Sequence, residues 1–300
     1  MRLLYGGLLM ALAVCGLTRE ADAQQDFSKV EITSEKLADG IYMLTGSGGN
    51  LGLAVGADAV FLIDDQYAPL TPKIKAAIGA ITNKPVQFVL NTHWHGDHTE
   101  GNENFAEAGA LIVAHDNVRR RMGTEQFLAF FNMRVPPSPK RALPLVTFTT
   151  DITFHINGDE VTALHCPAAH TDGDAIVHFR RADVIHMGDI HFNYMYPFID
   201  TASGGSADGV IAAVDRALAL ATDRTKIIPG HGPLASKADL LAYREMLATV
   251  VGRIKTQLAA GKQMKEIIDS KPTQEFEARW GNGFIKADTW VNMLVTGLRK

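Results

Sequence analysis

One short segment of this chain carries more metal-binding side chains than a structural role explains. The apolar run 86–90 is followed at once by Asn91-Thr92-His93-Trp94-His95-Gly96-Asp97-His98, which places three imidazoles and a carboxylate within six positions. Residues two apart in an extended segment point the same way, so His93 and His95 are placed to bind one ion. After Gly96 the chain can turn and direct Asp97 and His98 toward a second. Imidazole with carboxylate suits Zn²⁺, with iron or manganese as alternatives.

Further ligands are expected where other strands end, because a metal site of this kind lies at the rim of a sheet. Three later residues meet that condition, each after a predicted strand and close to a glycine: His170 after 161–164, Asp189 after 184–187 and His231 after 226–228. A nearby glycine lets the backbone approach or turn sharply beside the ligand. The sequence therefore predicts a seven-residue metal site: His93, His95, Asp97, His98, His170, Asp189 and His231.

The remaining histidines and the cysteine have weaker support. His115 follows the predicted strand 111–114, and a structural role is preferred there over a hydrogen bond to a ligand. His191 lies two residues after Asp189 and is the strongest candidate among the others for a place near the metals. Cys166 matches no ligand position and is expected to be a buried free thiol.

Composition places the chain among ordinary globular proteins. Its 300 residues are 46% hydrophobic and 21% charged, enough for a full core, and no linker-like stretch divides them. We therefore expect a single domain over residues 24–300. The formal charge is −4 and no basic stripe is present, which argues against a nucleic-acid partner. The sequence does not indicate an oligomeric state.

The first residues have the pattern of a secretory signal peptide. A short positive end, Met1-Arg2, precedes an apolar run over 3–17, and Ala21-Asp22-Ala23 is a small-x-small cleavage pattern. The run is too short for a membrane span, which disfavours an uncleaved anchor, and bulky Val14 disfavours lipidation at Cys15. Residues 1–23 are therefore predicted to be removed, leaving a periplasmic or secreted protein without a membrane segment. Only Cys166 would remain, so no internal disulfide is expected.

The order of predicted elements is that of an α/β protein. Strands are expected at 41–45, 51–55 and 60–63, followed by alternating helices (72–81, 102–108) and strands (86–90, 111–114). A helix is predicted at 208–221, and another is expected to begin after Ser236, with Asp239 three residues on. Between the halves, residues 123–144 are rich in phenylalanine. They are interpreted either as a surface-packed helix and loop or as a lid over the substrate.

Taken together, these motifs resemble the metallo-β-lactamase superfamily: H-x-H-x-D-H at 93–98, then a histidine, then Gly188-Asp189, then Pro229-Gly230-His231-Gly232. The resemblance covers roughly residues 41–247. It implies an α/β fold of the αββα sandwich type, with two mixed sheets and helices on the outer faces. It also implies that His93, His95 and His170 hold one zinc ion and Asp97, His98 and His231 a second. Asp189 would bridge the two ions.

Such a site predicts a hydrolase. Two zinc ions sharing a water lower its pKa, so a hydroxide can attack a lactam, lactone, ester or thioester carbonyl, with Asp97 orienting it or moving its proton. Export favours a true periplasmic metallo-β-lactamase, but one lactamase subclass has a cysteine ligand where this chain has Asp189. The drug-binding cation that follows it there is missing from 190–194. At most a weak β-lactamase activity is expected.

Other readings of the same site stay open. A phosphodiesterase and an iron-dependent sulfur dioxygenase use this fold, whereas a di-iron oxidoreductase has glutamate at the position of His95. A non-catalytic relative is disfavoured because all seven ligands are present. Aromatic residues at 127–133 and 192–198 indicate a small, partly apolar substrate.

Overall fold

Two β-sheets stacked over a shared apolar layer form the centre of the protein in the computed structural model, which describes residues 26–299. The strands of the first half are β1 (Thr33–Ala38), β2 (Ile41–Thr45), β3 (Leu51–Val55), β4 (Val60–Ile63), β5 (Phe88–Leu90), β6 (Leu111–His115), β7 (Gln126–Leu128), β8 (Met133–Val135) and β9 (Val146–Phe148). Within the described residues, the first sheet has the order β1-β2-β3-β4-β5-β6-β9, while β7 and β8 form a separate hairpin. The pairs from β1 to β4 are antiparallel, and those from β4 to β9 are parallel.

The second sheet is built from the second half of the chain. Its strands, in both chain order and spatial order, are β10 (Asp151–Ile156), β11 (Asp159–Cys166), β12 (Asp174–Phe179), β13 (Val184–His186), β14 (Lys226–Ile228) and β15 (Ala235–Ser236). The β13–β14 pair is parallel and its neighbours are antiparallel. Both sheets are therefore mixed, as predicted.

Helices cover the outer faces of the two sheets. They are α1 (Thr71–Gly79), α2 (Gly96–Thr99), α3 (Asn102–Glu107), α4 (Asp116–Met122), α5 (Ala207–Leu220), α6 (Lys237–Ala259), α7 (Met264–Asp269), α8 (Glu277–Trp280) and α9 (Ala287–Leu298). Among the residues that the structure covers, no helix combines the length and the apolar character needed to cross a bilayer.

Strand periodicity explains how the layers form. Phe61 and Ile63 of β4 point into the layer between the sheets, while Val60 and Leu62 point to the other side, where α1 and α3 pack. In the second sheet, Val177 faces the shared layer, whereas Ile176 packs toward the layer that contains α5, α6 and α9. Three apolar layers thus separate four layers of structure, which confirms the predicted αββα sandwich.

Several predicted elements have the observed bounds. The strands β2, β3, β4 and β14 match the prediction residue for residue. Ser236 caps α6 through a capping box with Asp239, as expected, and Gly261 lies two residues past the end of this helix with φ +77°. The predicted signal peptide, residues 1–23, lies outside the described residues, and its removal and the single-domain assignment stay predictions.

The phenylalanine-rich segment is where the expected structure and the observed structure differ most. The surface-packed helix, one of the two interpretations, is wrong: the structure has the β7–β8 hairpin there, joined by a 3-10 turn at Ala129–Phe131 and by Asn132 in the left-handed region (φ +49°). The other interpretation, a lid over the substrate, stays a prediction. Three-residue strands are too short to show a period in the sequence, and Asn132 supplies the turn conformation that a helix cannot accommodate.

Candidate metal centre

The seven predicted ligands come from loops at one edge of the two sheets. The motif 91–98 follows β5, and His95 lies at the N-cap of α2 with an extended backbone (ψ 148°). The helical turn of α2 then separates His95 from Asp97 and His98. A turn at this point was predicted from Gly96. Asp189 lies in a 3-10 turn, Gly188–Ile190, just beyond β13, and His231 follows β14.

The first group of ligand atoms comes from His93, His95, His170 and Asp189, and these atoms lie within 4.8 Å of one another. Nδ1 of His95 is 2.9 Å from Nε2 of His170. All four side chains are buried. The group therefore has the size and donor set of a closed metal site built mainly from imidazoles.

The second group is formed by Asp97, His98 and His231, again with the ligand atoms within 4.8 Å. Nε2 of His98 is 3.5 Å from Nε2 of His231, and Oδ2 of Asp97 is 3.3 Å from that same His231 nitrogen. The side chains of Asp97 and His231 are 22% and 21% exposed, unlike that of His98. This side of the centre is the one that solvent reaches.

Asp189 lies between the two groups and faces both of them. Its Oδ2 is 3.6 Å from Nε2 of His170 and 3.8 Å from Nε2 of His93. Its Oδ1 is 3.0 Å from Nε2 of His98 and 3.3 Å from Nε2 of His231. One carboxylate thus directs one oxygen to each group.

The unpaired polar atoms of the centre show that its residues fit a divalent cation. Nε2 of His93 and Oδ1 of Asp189 are buried and make no hydrogen bond within the described residues. Leaving such atoms unpaired is costly, and native proteins rarely do so. A cation placed among the ligand atoms would satisfy both, and imidazole with carboxylate is a suitable donor set for it.

Charge in the second group is balanced within the protein. Burial lowers the pKa of His231, but the negative charges of Asp189 and Asp97 outweigh this effect and raise it to about 9. Burial opposes ionisation of Asp97, yet the charge of His98 and the hydrogen bond from His231 lower the pKa of Asp97 to about 2. In the first group, burial lowers the pKa of His170 to about 4, so this imidazole stays neutral at physiological pH.

Two carboxylates that the sequence analysis did not single out hold the ligand rings in place. Oδ2 of Asp64 is 2.7 Å from Nδ1 of His98, and Oδ2 of Asp200 is 3.2 Å from Nε2 of His95. Outer carboxylates of this kind fix the ring orientation and the tautomer of a ligand histidine. Asp64 could have been found from the sequence, because it directly follows the predicted strand 60–63 and so reaches the same sheet edge.

Two glycines allow the loops to approach the ligands closely. A Cβ atom at Gly49 would lie 2.0 Å from Cε1 of His98, and one at Gly230 would lie 2.0 Å from Oδ1 of Asp189. Asn50, next to Gly49, donates from Nδ2 to the carbonyls of Pro229 (2.9 Å) and Gly232 (2.8 Å). The glycine-rich loop 46–50 thereby connects His98 to the loop that carries His231.

The other sequence candidates lie outside the two ligand groups. Nδ1 of His115 accepts a hydrogen bond from the backbone N–H of Asn117, capping α4, so its role is structural. His191 is buried against Tyr243, with 4.8 Å between ring centroids, and is in neither ligand group. Cys166 is a buried free thiol, as predicted, and burial raises its pKa to about 12.

The fold and the ligand cluster together point to one family of proteins with a metal-binding centre. The family model of the metallo-beta-lactamase superfamily matches residues 44–231, a region that contains all seven candidate ligands. The chain belongs to this superfamily. The resemblance seen in the sequence motifs is thereby confirmed at the level of the family.

Comparison with individual proteins gives more distant similarities. A hydroxyacylglutathione hydrolase of Erythrobacter litoralis (strain HTCC2594) is 26% identical over 108 residues, which is 36% of this chain and only 35% of that protein. A metallo-beta-lactamase from Pontibacter korlensis superimposes with a TM-score of 0.59 at 19% identity, covering 72% of this chain and 99% of the other. The sec-alkylsulfatase Pisa1 from Pseudomonas sp. gives a TM-score of 0.67 at 15% identity, covering 88% and 50%. At such identities the solved structures show a common fold alone.

Proposed function

We propose that the seven residues bind two divalent metal ions, zinc by preference, and that the protein hydrolyses a carbonyl-type bond: a lactam, lactone, ester or thioester. His93, His95 and His170 would hold one ion, Asp97, His98 and His231 the other, and Asp189 both. The observation that carries the proposal is the position of Asp189, whose two oxygens face different histidine groups. A site for a single metal ion would not require a carboxylate whose two oxygens face separate groups of ligands.

Bound metal would supply a water of low pKa and would polarise the oxygen of the scissile bond. The protein's own contribution is positional. Asp97 is ionised at neutral pH and partly exposed, whereas Asp189 is buried. Asp97 is therefore the carboxylate placed to accept a hydrogen bond from an incoming water and to orient it. Asp64 and Asp200 hold the rings of His98 and His95 so that their ligand nitrogens face inward.

Two features of the chain favour a bond other than that of a β-lactam drug. Position 189 is an aspartate and not a cysteine, and residues 190–194 supply no lysine or arginine to bind a drug carboxylate. The relative from Erythrobacter litoralis, which is similar over 36% of this chain, is named a hydroxyacylglutathione hydrolase, and that name supports an acyl carbonyl as the group attacked. We therefore propose at most a weak β-lactamase activity.

A substrate panel with metal analysis tests this proposal. The purified protein is assayed on a chromogenic cephalosporin, a lactone, an aryl ester, a thioester and a phosphodiester, while its zinc, iron and manganese contents are measured on the same sample. We expect about two zinc ions per chain and turnover of ester, lactone or thioester. Efficient cephalosporin hydrolysis, roughly 10⁴ M⁻¹s⁻¹ or more, would favour a true metallo-β-lactamase. Phosphodiester turnover, or iron with oxygen-dependent oxidation of a persulfide, would replace the proposal by those activities.

We also propose that residues 1–23 direct export and that the mature protein begins near Gln24, in the periplasm or outside the cell. The support is the charged end, the apolar run and the Ala-Asp-Ala sequence at positions 21–23. Expression of the full chain in a bacterial host, followed by fractionation and N-terminal sequencing, tests it. Recovery of uncleaved protein in the cytoplasm would contradict it.

A further inference from the structure

Two histidine rings lie face to face where the apolar layer between the sheets reaches the edge that carries the metal centre. The rings of His115, at the end of β6, and His165, near the end of β11, have centroids 3.6 Å apart and planes only 8° apart. Val113 and Ala163, two residues before each histidine, belong to the shared layer, so strand alternation directs both imidazoles into it. The pair therefore joins the first sheet to the second.

Hydrogen bonds fix the protonation state of His115. Its Nδ1 accepts from the backbone N–H of Asn117 at 3.2 Å, which caps α4, and its Nε2 lies 3.0 Å from the carbonyl oxygen of Thr149. A ring nitrogen that accepts is unprotonated, so Nε2 carries the hydrogen and the ring is neutral. A proton added to Nδ1 would face the N–H of Asn117, and the cap of α4 would be lost.

His165 connects the pair to the loop that holds a candidate metal ligand. Its Nε2 donates to the carbonyl oxygen of Asp172 at 2.9 Å, and that oxygen also accepts from Nδ2 of Asn117 at 2.8 Å. The carboxylate of Asp172 is held by Arg121 of α4 through two hydrogen bonds of 2.7 Å. Because Asp172 lies two residues after His170, these contacts join α4 to the loop 167–174.

The charges around the pair leave no surplus of negative charge for two protonated rings. The charged groups that face the pair are Asp116 and Arg121 of α4, Asp172 of the loop after β11, and Arg216 of α5, which donates to the backbone carbonyl of His165. The neighbouring residues of 148–150 and the cross-strand residue on β12, Ala175, are uncharged. Two carboxylates and two guanidinium groups balance, so two imidazolium rings stacked at 3.6 Å would repel each other.

We propose that this stacked pair is a pH-sensitive contact: uptake of protons in a mildly acid medium separates the rings and releases α4 from the loop 167–174. The β7–β8 hairpin follows α4, and the backbone N–H of Ser138, beyond the hairpin, donates to the carbonyl of Met122 at 2.7 Å. Release of α4 therefore loosens the base of the hairpin, whose Phe130 lies beside Phe198. The proposal goes beyond the hydrolase function, because it requires neither a particular substrate nor turnover.

The direction of the effect follows from the neutral state of the closed pair. Burial, and next the neighbouring His165, lower the pKa of His115, and these effects outweigh the carboxylates that raise it. A histidine freed from the pair has the ordinary pKa of about 6.5. The closed form is therefore independent of pH above this value, and its equilibrium with the open form weakens about tenfold for each pH unit below it.

Amide hydrogen exchange followed by mass spectrometry tests the proposal. Peptides covering 116–138 of the whole zinc-loaded protein are compared at pH 7.5 and pH 5.5, after correction for the intrinsic exchange rate. We expect the protection of α4 to fall about tenfold at pH 5.5 in the wild type. His115→Asn keeps a capping side chain that does not titrate, and His165→Gln keeps an N–H donor, so each should remove this pH dependence.

His155→Gln is the matched control, because it removes an exposed histidine of β10 that is not part of the pair. It should lose protection at pH 5.5 as the wild type does. Acid also releases metal, so the zinc content is measured on every sample. If the wild type and both pair variants lose protection equally at pH 5.5, the metal centre and not the pair causes the loss, and the proposal is overturned.

A titration of the histidine rings by NMR supplies a readout that does not depend on exchange. The ring signals of the pair are identified by their loss in His115→Asn and in His165→Gln, and are followed from pH 8 to pH 5. We expect the midpoint of His115 to lie below the ordinary value and to shift to higher pH in His165→Gln, because the neighbouring charge is removed. Midpoints of both rings near 6.5, with no shift in the variant, would overturn the proposal.

Discussion

Nδ1 of His98 lies 2.7 Å from Oδ2 of Asp64, with both side chains fully buried. A carboxylate oxygen only accepts, so Nδ1 carries the proton and Nε2 is left to bind metal. Asp64 is itself fixed, because its two oxygens accept hydrogen bonds from the backbone N–H (2.7 Å) and hydroxyl (2.8 Å) of Thr92. The strand β4 thereby determines the orientation of a ligand that belongs to the motif after β5.

Asp64→Asn should weaken metal binding without unfolding the protein. The amide can still accept from Thr92, but its NH₂ group would oppose the N–H of His98 and favour the tautomer whose Nε2 is protonated. We expect metal affinity at the second group to fall about 10- to 100-fold, measured by competition with a chromogenic chelator.

Asp65→Asn is the matched control for this change. Asp65 is equally buried and adjacent, burial and the charge of Asp64 raise its pKa well above the ordinary value, and it accepts from Gly101 and not from a histidine. Because Asp65 contacts no candidate ligand and burial disfavours its charged form, its amide variant should bind metal like the wild type. Equal losses in the two variants would mean that the charge of the pair, and not the orientation of His98, controls affinity.

Gly49→Ala tests whether the loop 46–50 must pass so close to His98. The added Cβ would lie 2.0 Å from Cε1 of His98, and His98 has no room to move because it is buried and held by Asp64. We expect loss of one metal ion per chain and a stability loss of about 1–3 kcal/mol. Gly79→Ala, at the end of α1 with nothing within 4 Å of the new Cβ, should retain both the metal and the stability. Metal content is measured by elemental analysis. A wild-type metal content in Gly49→Ala would show that the loop 46–50 can shift enough to accommodate the added methyl group.

The sequence identified the ligands better than it identified their surroundings. His170, Asp189 and His231 were found because each follows a run of apolar residues that reads as a strand, and strand ends share one sheet edge. The same reasoning extends to Asp64 after β4. Asp200 does not follow a run of apolar residues that reads as a strand. The segment between Ile190 and Ala207 has only a short 3-10 turn in the structure, so its path depends on tertiary packing.

The edge strands show a related limit. β1 and β10 were not predicted, and their burial explains why: β1 is mostly exposed, and β10 alternates between exposed and half-buried residues. Neither has the continuous apolar run that made β3, β4 and β14 recognisable.

The C-terminal helices α7, α8 and α9 were also not predicted. The structure gives α9 a clear buried face, formed by Trp290, Val291, Leu294 and Val295.

Asp97→Ala and His95→Ala should each abolish turnover while the fold is retained. Asp97 is the partly exposed carboxylate of the second group, and His95 belongs to the first, so the two variants affect the two groups of ligands separately. A loss of about 100- to 10,000-fold in kcat is expected for Asp97→Ala if it acts on the proton of the attacking water. Glu107→Ala, an exposed carboxylate at the end of α3, is the control. Near wild-type rates in either site variant, with zinc still bound, would remove that residue from the mechanism.

Asp183 connects stability to pH at a point outside the metal centre. It lies in the turn before β13 with φ +56°, and its carboxylate accepts hydrogen bonds from the hydroxyls of Thr222, at 2.7 Å, and Thr225. Burial opposes its ionisation slightly, but the two hydroxyl donors outweigh it and lower the pKa of Asp183 below the ordinary value. A carboxyl whose pKa is lower in the folded state adds stability above its unfolded pKa, and loses it as the pH falls through the folded one.

Asp183→Asn should therefore lower the thermal midpoint at pH 7, and the difference from wild type should shrink between pH 5 and pH 3. Asparagine tolerates the left-handed backbone at this position, so the substitution removes charge and one acceptor without adding strain. Thermal unfolding followed by circular dichroism at pH 7, 5 and 3 provides the measurement, with Asp151→Asn, an exposed carboxylate in β10, as the control. Comparing variants at each pH cancels the loss of metal that acid causes in all of them. A difference that stays constant down to pH 3 would mean that the turn depends on the shape of the side chain and not on its charge.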